Sequence, residues 1–182
     1  MNLFYKTFLI ICLWALINSN AIADKTDFDK GLRAYRIGDY KTALQKWLPR
    51  AEKGDPSAQH MIGFLYATGR GVELKPKVTI FWWELAAQQQ FPPAQHSLGT
   101  LYRKGLGVKQ KPEVAAMWIS RAATSGYPDA QYDFGIMYAT GEGVSQDFKK
   151  AYEWLDKAAL NKGLKPRSLR KNIYKFLPQF YP

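Results

Sequence analysis

The side chains that could carry chemistry in this chain are two histidines, a serine–lysine pair and one cysteine. His60 and His96 are the only histidines, and Cys12 is the only cysteine. Ser168 and Lys171 match the S-x-x-K spacing of penicillin-recognising serine enzymes. Metal binding, serine-nucleophile catalysis and thiol chemistry are therefore the three possibilities to weigh.

The spacing of the histidines argues against a metal site. His60 and His96 are 36 residues apart and occupy the same position of the repeat described below. Stacked helices would hold them roughly 8–10 Å apart, whereas each ligand of a zinc ion lies about 2 Å from it. Neither cysteines nor clustered carboxylates surround them in the sequence. We predict no metal and no cofactor.

The serine–lysine pair gives equally weak support for catalysis. The S-D-N and K-T-G motifs that accompany S-x-x-K are missing from the sequence. Carboxylates such as Glu84, Glu113 and Asp156 have no histidine or serine partner at a readable spacing. We predict a non-enzymatic protein, with a penicillin-recognising serine hydrolase as a remote alternative.

Residues 1–23 are predicted to be a secretory signal peptide. Lys6 precedes an uncharged apolar run at residues 8–17, and Ala21-Ile22-Ala23 supplies the small-x-small pattern of a cleavage site. An apolar run of this length falls short of the ~20 residues that span a bilayer. We expect cleavage before Asp24 and export to the periplasm or the exterior of a bacterium.

Cleavage at this site would remove Cys12 from the mature chain, residues 24–182. A lipoprotein signal is disfavoured because Ile11, the residue before this cysteine, is bulky. Without cysteine the mature chain has no disulfide, zinc–thiolate or cysteine-nucleophile chemistry. Its length suits a single domain with a continuous core.

An internal repeat dominates the rest of the sequence. The pattern A-Q-x3-G-x2-Y-x2-G-x-G-V begins at Ala58, Ala94 and Ala130, at a spacing of 36 residues. Each copy continues with a tryptophan and a pair of alanines, and the tryptophans are Trp82, Trp118 and Trp154. A fixed period of this size is typical of stacked units that complete each other's core. It predicts an all-α solenoid of helix–turn–helix repeats at residues 57–92, 93–128 and 129–163.

Within each copy we predict two antiparallel helices, A and B. Helix A covers about residues 57–68 in the first copy, with apolar side chains at helical spacing. Glycine inside a helix costs about 1 kcal/mol relative to alanine, so the glycine at 63, 99 and 135 predicts a close approach of helix B. The first glycine of the G-x-G that follows helix A is predicted to cap it, and the second to give the loop freedom. The repeated tryptophans are interpreted as packing residues.

The two ends are predicted to be capping units. Residues 28–55 form a shortened first unit with Trp47 in its second helix. Residues 164–182 are predicted to form a basic closing helix and tail.

The repeat pattern resembles that of the Sel-one-like repeat (SLR) family, relatives of the tetratricopeptide repeat. The resemblance implies a right-handed superhelix that acts as an adaptor or scaffold in protein complexes, in bacteria often in the envelope or towards host cells. One branch of the family is cysteine-rich, with affinity for β-lactams, and the absence of cysteine from the mature chain argues against it.

If the A helices line the concave face, as in tetratricopeptide relatives, spacing identifies its residues. The predicted surface mixes aromatic and basic side chains, with Arg33 and Arg36 at matching positions of the first unit. Such side chains can anchor a peptide and hold its carboxylates. We predict that an acidic protein or peptide partner binds here. The alternative is that these residues form a solvated face or pack against neighbouring repeats. The residues are His60, Phe64, His96, Thr100, Arg103, Lys104, Tyr132 and Ile136.

A second possible binding surface is the basic C-terminal segment. From Asn161 onward the chain has six basic residues and no acidic ones. Such a segment favours anionic partners, so binding of peptidoglycan or anionic lipid is the alternative function; nucleic acid is not expected for an exported chain. The basic residues are Lys162, Lys165, Arg167, Arg170, Lys171 and Lys175.

Overall fold

The computed structural model describes residues 27–162 as α-helices joined by short loops. Residues 27–36 form α1. The helices that follow are α2 (Tyr40–Glu52), α3 (Pro56–Thr68), α4 (Pro76–Gln88), α5 (Pro92–Lys104), α6 (Pro112–Thr124), α7 (Pro128–Thr140) and α8 (Phe148–Asn161). No strand occurs between residues 27 and 162. The prediction of an all-α repeat solenoid is confirmed, with α3, α5 and α7 as the A helices and α4, α6 and α8 as the B helices.

Two predicted segments lie outside the described residues. They are the signal peptide at residues 1–23 and the closing helix and tail at residues 164–182. Among the helices of the described range, none is long and apolar enough to cross a membrane.

Each A helix begins at a proline and is followed by a glycine. The proline, at positions 56, 92 and 128, lies in the first turn, where a missing N–H loses no hydrogen bond. This shared proline is a repeat position that the pattern above did not include. The glycine that follows each helix has φ of 65°, 67° and 76° at positions 69, 105 and 141. This left-handed conformation favours glycine, and the predicted capping role is confirmed.

A second glycine, inside each A helix, lies directly against the following B helix. The pairs in contact are Gly63 with Trp83, Gly99 with Ile119, and Gly135 with Leu155. A Cβ on Gly99 would lie 2.3 Å from Ile119 Cγ1 and 3.1 Å from the carbonyl oxygen of Ala115. Because glycine has no side chain, the two helices of a hairpin can pack closely at this point, as the repeated glycine predicted.

Each B helix has a large buried apolar side chain one position after the repeated tryptophan. Trp83, Ile119 and Leu155 are 7 %, 0 % and 1 % exposed, whereas the repeated tryptophans are half-buried. The buried position faces the glycine of its own hairpin. In the first unit Trp47 has this place and contacts Gly31.

The repeated tryptophans pack sideways into core clusters that join neighbouring units. Trp118 contacts a cluster that contains Trp83 from α4 and Leu98 from α5. Trp154 contacts the equivalent cluster of α6 and α7 and lies with its ring centroid 5.3 Å from that of Phe134. Each B helix and the A helix of the next repeat therefore share one hydrophobic core. A single hairpin buries its apolar side chains only with the help of its neighbours.

Candidate functional site

An apolar cavity of about 440 Å³ lies at the junction of the first and second repeats. We call it the first groove. It is lined by α3, α4 and α5 and by the loops that follow α3 and α5. Its buried lining residues are Thr79, Trp83 and Leu101. Leu74 and Leu106 lie at its edge and are 57 % and 56 % exposed.

Three residues of the predicted binding surface line the first groove. They are Phe64 from α3 and His96 and Thr100 from α5. The hydroxyl oxygen of Thr100 is buried and has no hydrogen-bond partner within residues 27–162. The groove therefore combines an apolar lining with an unpaired polar atom.

The next junction, between the second and third repeats, has a charged cluster at the equivalent positions. Arg103 Nη1 lies 3.4 Å from Asp133 Oδ1, and Arg103 Nε lies 3.8 Å from Glu142 Oε2. These residues replace Ala67, Ser97 and Leu106 of the first groove, each one period of 36 residues earlier in the chain. Small and apolar residues thus leave the first junction open, and ion pairs occupy the second.

The two histidines make equivalent contacts across these junctions. His60 Nε2 lies 3.0 Å from the Ser97 hydroxyl oxygen, and His96 Nε2 lies 2.8 Å from Asp133 Oδ2. Each histidine therefore bonds to the following repeat, the packing role that was the alternative to partner binding. No group of three or more potential metal-ligating side chains occurs in the described part of the chain.

Burial decides the direction of the pKa shift at His60 but not at Asp133. Desolvation, helped by the charge of His96, lowers the pKa of His60 to about 4, so His60 is neutral at neutral pH. Burial alone would raise the pKa of Asp133. The hydrogen bond from His96 and the nearby charge of Arg103 outweigh burial and hold the pKa of Asp133 below its ordinary value.

The remaining predicted surface residues lie in different environments. Lys104 is exposed at the end of α5. Tyr132 and Ile136 are partly buried against Leu155. Because Arg103 is engaged by two carboxylates, a glutamate there would bring three acidic groups together, so Lys104 is the better position for testing the surface.

The basic C-terminal segment is described only at its first residue. Lys162 Nζ lies 2.6 Å from Asp129 Oδ1 at the start of α7. The other basic residues predicted to bind an anionic polymer, Lys165, Arg167, Arg170, Lys171 and Lys175, lie outside the described residues, as does Ser168.

Two different kinds of contact hold adjacent units together at their opposite ends. At one end, the glutamine of each A-Q pair donates from Nε2 to a carbonyl oxygen near the end of the preceding B helix. The bonds are Gln59 to Ala51 (3.0 Å), Gln95 to Ala87 (3.2 Å) and Gln131 to Ala123 (3.2 Å). At the other end, the second glycine of each G-x-G loop packs on the first turn of the preceding B helix: Gly71 on Tyr40, Gly107 on Pro76 and Gly143 on Pro112.

Sequence reasoning identified the glutamine as a repeated residue but gave it no role, and it missed the first groove. The available signal was the difference between copies at equivalent positions. Ala67 and Leu106 at the first junction correspond to Arg103 and Glu142 at the second. This difference distinguishes an open apolar junction from a charged one.

Comparison with known proteins places these repeats in a family. The model of the Sel1 repeat matches residues 56–91, 92–127 and 128–162. Each match begins at the shared proline, one residue before the units defined from the sequence. A search of curated proteins gave no match.

Two solved structures illustrate the likeness. A Sel1 repeat protein from Oxalobacter formigenes is 29% identical with a TM-score of 0.74, and the match covers 84% of this chain and 61% of that one. The chain thus spans about three fifths of the length of that protein. Cysteine rich protein B of Helicobacter pylori is 22% identical with a TM-score of 0.56, over 66% of this chain and 90% of that one, and shows the common fold.

Sel1 repeats generally serve as scaffolds for protein–protein interaction and are typically not enzymes. The family match extends over more than half of the chain and over every complete hairpin from α3 to α8. This chain is therefore a member of the Sel1 repeat family.

Proposed function

We propose that this protein is an exported adaptor that binds a protein partner on the surface formed by its A helices. The observation that carries the proposal is the first groove, an open apolar cavity between two A helices whose edge exposes Leu74 and Leu106. Apolar cavities with a few polar groups are the usual places where proteins bind their ligands. Scaffold function is general in the family, which supports an adaptor role.

Site-specific photo-crosslinking in the native organism tests the binding surface. A benzoylphenylalanine at position 74, beside the first groove, is compared with one at position 160, because Leu74 and Leu160 are similarly exposed at 57 % and 62 %. We expect one protein to crosslink from position 74 and not from position 160. Crosslinking from position 160 alone, or from neither position, would reject the proposal.

Export is tested separately by cell fractionation and mass measurement of the protein. We expect the mature chain to begin at Asp24 and to be found outside the cytoplasm, because residues 1–23 have the features of a cleaved signal. An intact N-terminus on protein recovered from the cytoplasm would reject export without affecting the binding test.

A further inference from the structure

We propose that the first groove binds an acidic amphipathic peptide segment through two bulky apolar side chains, with the carboxylates of the peptide meeting the lysines around the groove. This inference rests on the adaptor function proposed above and specifies the chemistry of the partner.

The size and lining of the groove fit large apolar side chains. Its volume of about 440 Å³ lies within the ~300–1,000 Å³ typical of ligand cavities. Phe64 and Trp83 supply aromatic surface, and Leu74 and Leu106 extend the apolar contact to the edge. Amphipathic helices insert side chains three or four residues apart into grooves of this kind. The buried Thr100 hydroxyl oxygen can hydrogen-bond to a polar group that enters with them.

The charge around the groove selects for carboxylates. The two loops at its edge and their flanks, residues 69–77 and 103–111, contain seven basic residues and one acidic residue, Glu73. Arg103 pairs with Asp133 and Glu142, and Lys75 pairs with Glu73, so five basic residues remain to meet a partner. Lys104 lies one helical turn beyond Thr100, on the same side of α5, and is exposed. The equivalent segment of the third repeat, residues 141–149, has two acidic residues, Glu142 and Asp147, and one basic residue, Lys149. The positive charge is therefore concentrated where the apolar cavity is open.

The charged second junction provides a variant that closes the groove with an arrangement the fold already contains. Ala67→Arg, Ser97→Asp and Leu106→Glu together place the residues of Arg103, Asp133 and Glu142 one repeat earlier. Because those ion pairs form at the equivalent junction, the triple variant is expected to fold with a filled, polar groove.

A second variant tests charge without changing the cavity. Lys104→Glu with Lys109→Glu reverses two exposed lysines next to the groove. Its matched control, Lys41→Glu with Lys149→Glu, makes the same change in net charge at exposed positions on α2 and α8.

The test uses peptides selected by the purified protein from a random phage-displayed library of sixteen-residue segments, with affinities measured by fluorescence anisotropy. We expect selected peptides to carry two large apolar residues three or four positions apart and a net negative charge. The triple variant should weaken their binding about tenfold or more, a loss typical of a central anchor. The Lys104/Lys109 variant should weaken it about threefold to tenfold, with a smaller dependence on salt, and the control should bind as the wild type does.

Four outcomes would overturn the inference. These are selected peptides without acidic residues, wild-type affinity in the triple variant, an equal loss in the Lys41/Lys149 control, and a wild-type dimer that the triple variant converts to monomer, which would make a second copy the occupant. Photo-crosslinking from position 74 separates this inference from the proposed function. If the triple variant still crosslinks the same cellular protein, the adaptor function stands and the groove inference fails. If the wild type crosslinks no protein, the adaptor function itself fails.

Discussion

Replacing Ser125 by glutamine should stabilise the protein by completing a hydrogen bond that the other units make. Gln59 Oε1 accepts a bond of 2.9 Å from Gln89 Nε2, and Gln131 Oε1 accepts one of 2.8 Å from Asn161 Nδ2. In the unit between them the equivalent residue is Ser125, whose hydroxyl bonds to its own helix. Gln95 Oε1 is left buried without a partner in the described range.

The backbone at Ser125 suits the replacement. Ser125 caps α6 with φ −74° and ψ 4°, and Gln89 caps α4 with φ −80° and ψ 14°. A new hydrogen bond contributes about 1 kcal/mol net, and satisfying a buried acceptor recovers roughly 1–3 kcal/mol. Ordering the longer side chain costs up to about 2 kcal/mol. We expect a net gain of about 1 kcal/mol, or a Tm increase of roughly 2–4 °C for a domain of this size.

Thermal unfolding followed by circular dichroism measures the effect, with Ser125→Glu as the matched control. Glutamate has nearly the same shape, but its carboxylate cannot donate to Gln95 Oε1 and repels it. The glutamate variant should therefore be no more stable than the wild type. Equal Tm values for the glutamine and glutamate variants would refute the reasoning, because chain length and not the donated hydrogen would then explain any change.

Three further predictions concern packing, pH and charge, and all use the free energy of unfolding from urea titrations. Gly99→Ala should destabilise the protein by roughly 2 kcal/mol, because the new Cβ would lie 2.3 Å from Ile119 Cγ1. Adding Ile119→Ala should restore part of the lost stability. An unchanged urea midpoint in the Gly99→Ala variant would contradict the close contact. The free energy of unfolding should fall by up to about 3 kcal/mol as the pH drops from 6.5 to 4, because the pKa of His60 is lowered to about 4 in the folded protein and the unfolded chain binds the proton more tightly. In His60→Gln, the free energy of unfolding should change little over this pH range. A pH profile like that of the wild type would rule out His60 as the source. Arg103→Ala and Asp133→Ala should show a coupling energy of about 1–2 kcal/mol in a double-mutant cycle; additive effects would mean that the ion pair at 3.4 Å contributes nothing.

The repeat pattern was enough to predict the helical hairpins, because the signals concerned are local. A helix cap with positive φ and a close contact between two helices both require glycine, so glycine recurs at these positions in every copy. The large buried side chain that faces the A-helix glycine was missed because its position is filled by Trp83, Ile119 and Leu155 in turn. Any large apolar side chain fits against the A-helix glycine, so size and polarity recur there while residue identity does not.

The candidate site was only partly predictable for a related reason. Helical spacing placed Phe64, His96 and Thr100 on one surface, and they do line one cavity. Spacing could not reveal that Arg103 is held by carboxylates of the third repeat. Whether a junction is open or filled depends on which residues two neighbouring repeats place against each other, and a pattern averaged over copies hides those differences.

The different contacts at the two ends of each junction imply that the superhelix is stiffer along one edge than along the other. A glutamine-to-carbonyl hydrogen bond is directional and resists stretching, whereas a glycine loop resting on a helix turn is held by dispersion and can slide at little cost. When the solenoid bends, adjacent repeats should therefore pivot at the edge with the glutamine hydrogen bonds (the glutamine edge). They should separate at the opposite edge, where the G-x-G loops lie (the loop edge). Leu74 and Leu106 lie at the loop edge. The first groove can therefore widen around a bound partner while the hydrogen bonds at the glutamine edge stay in place.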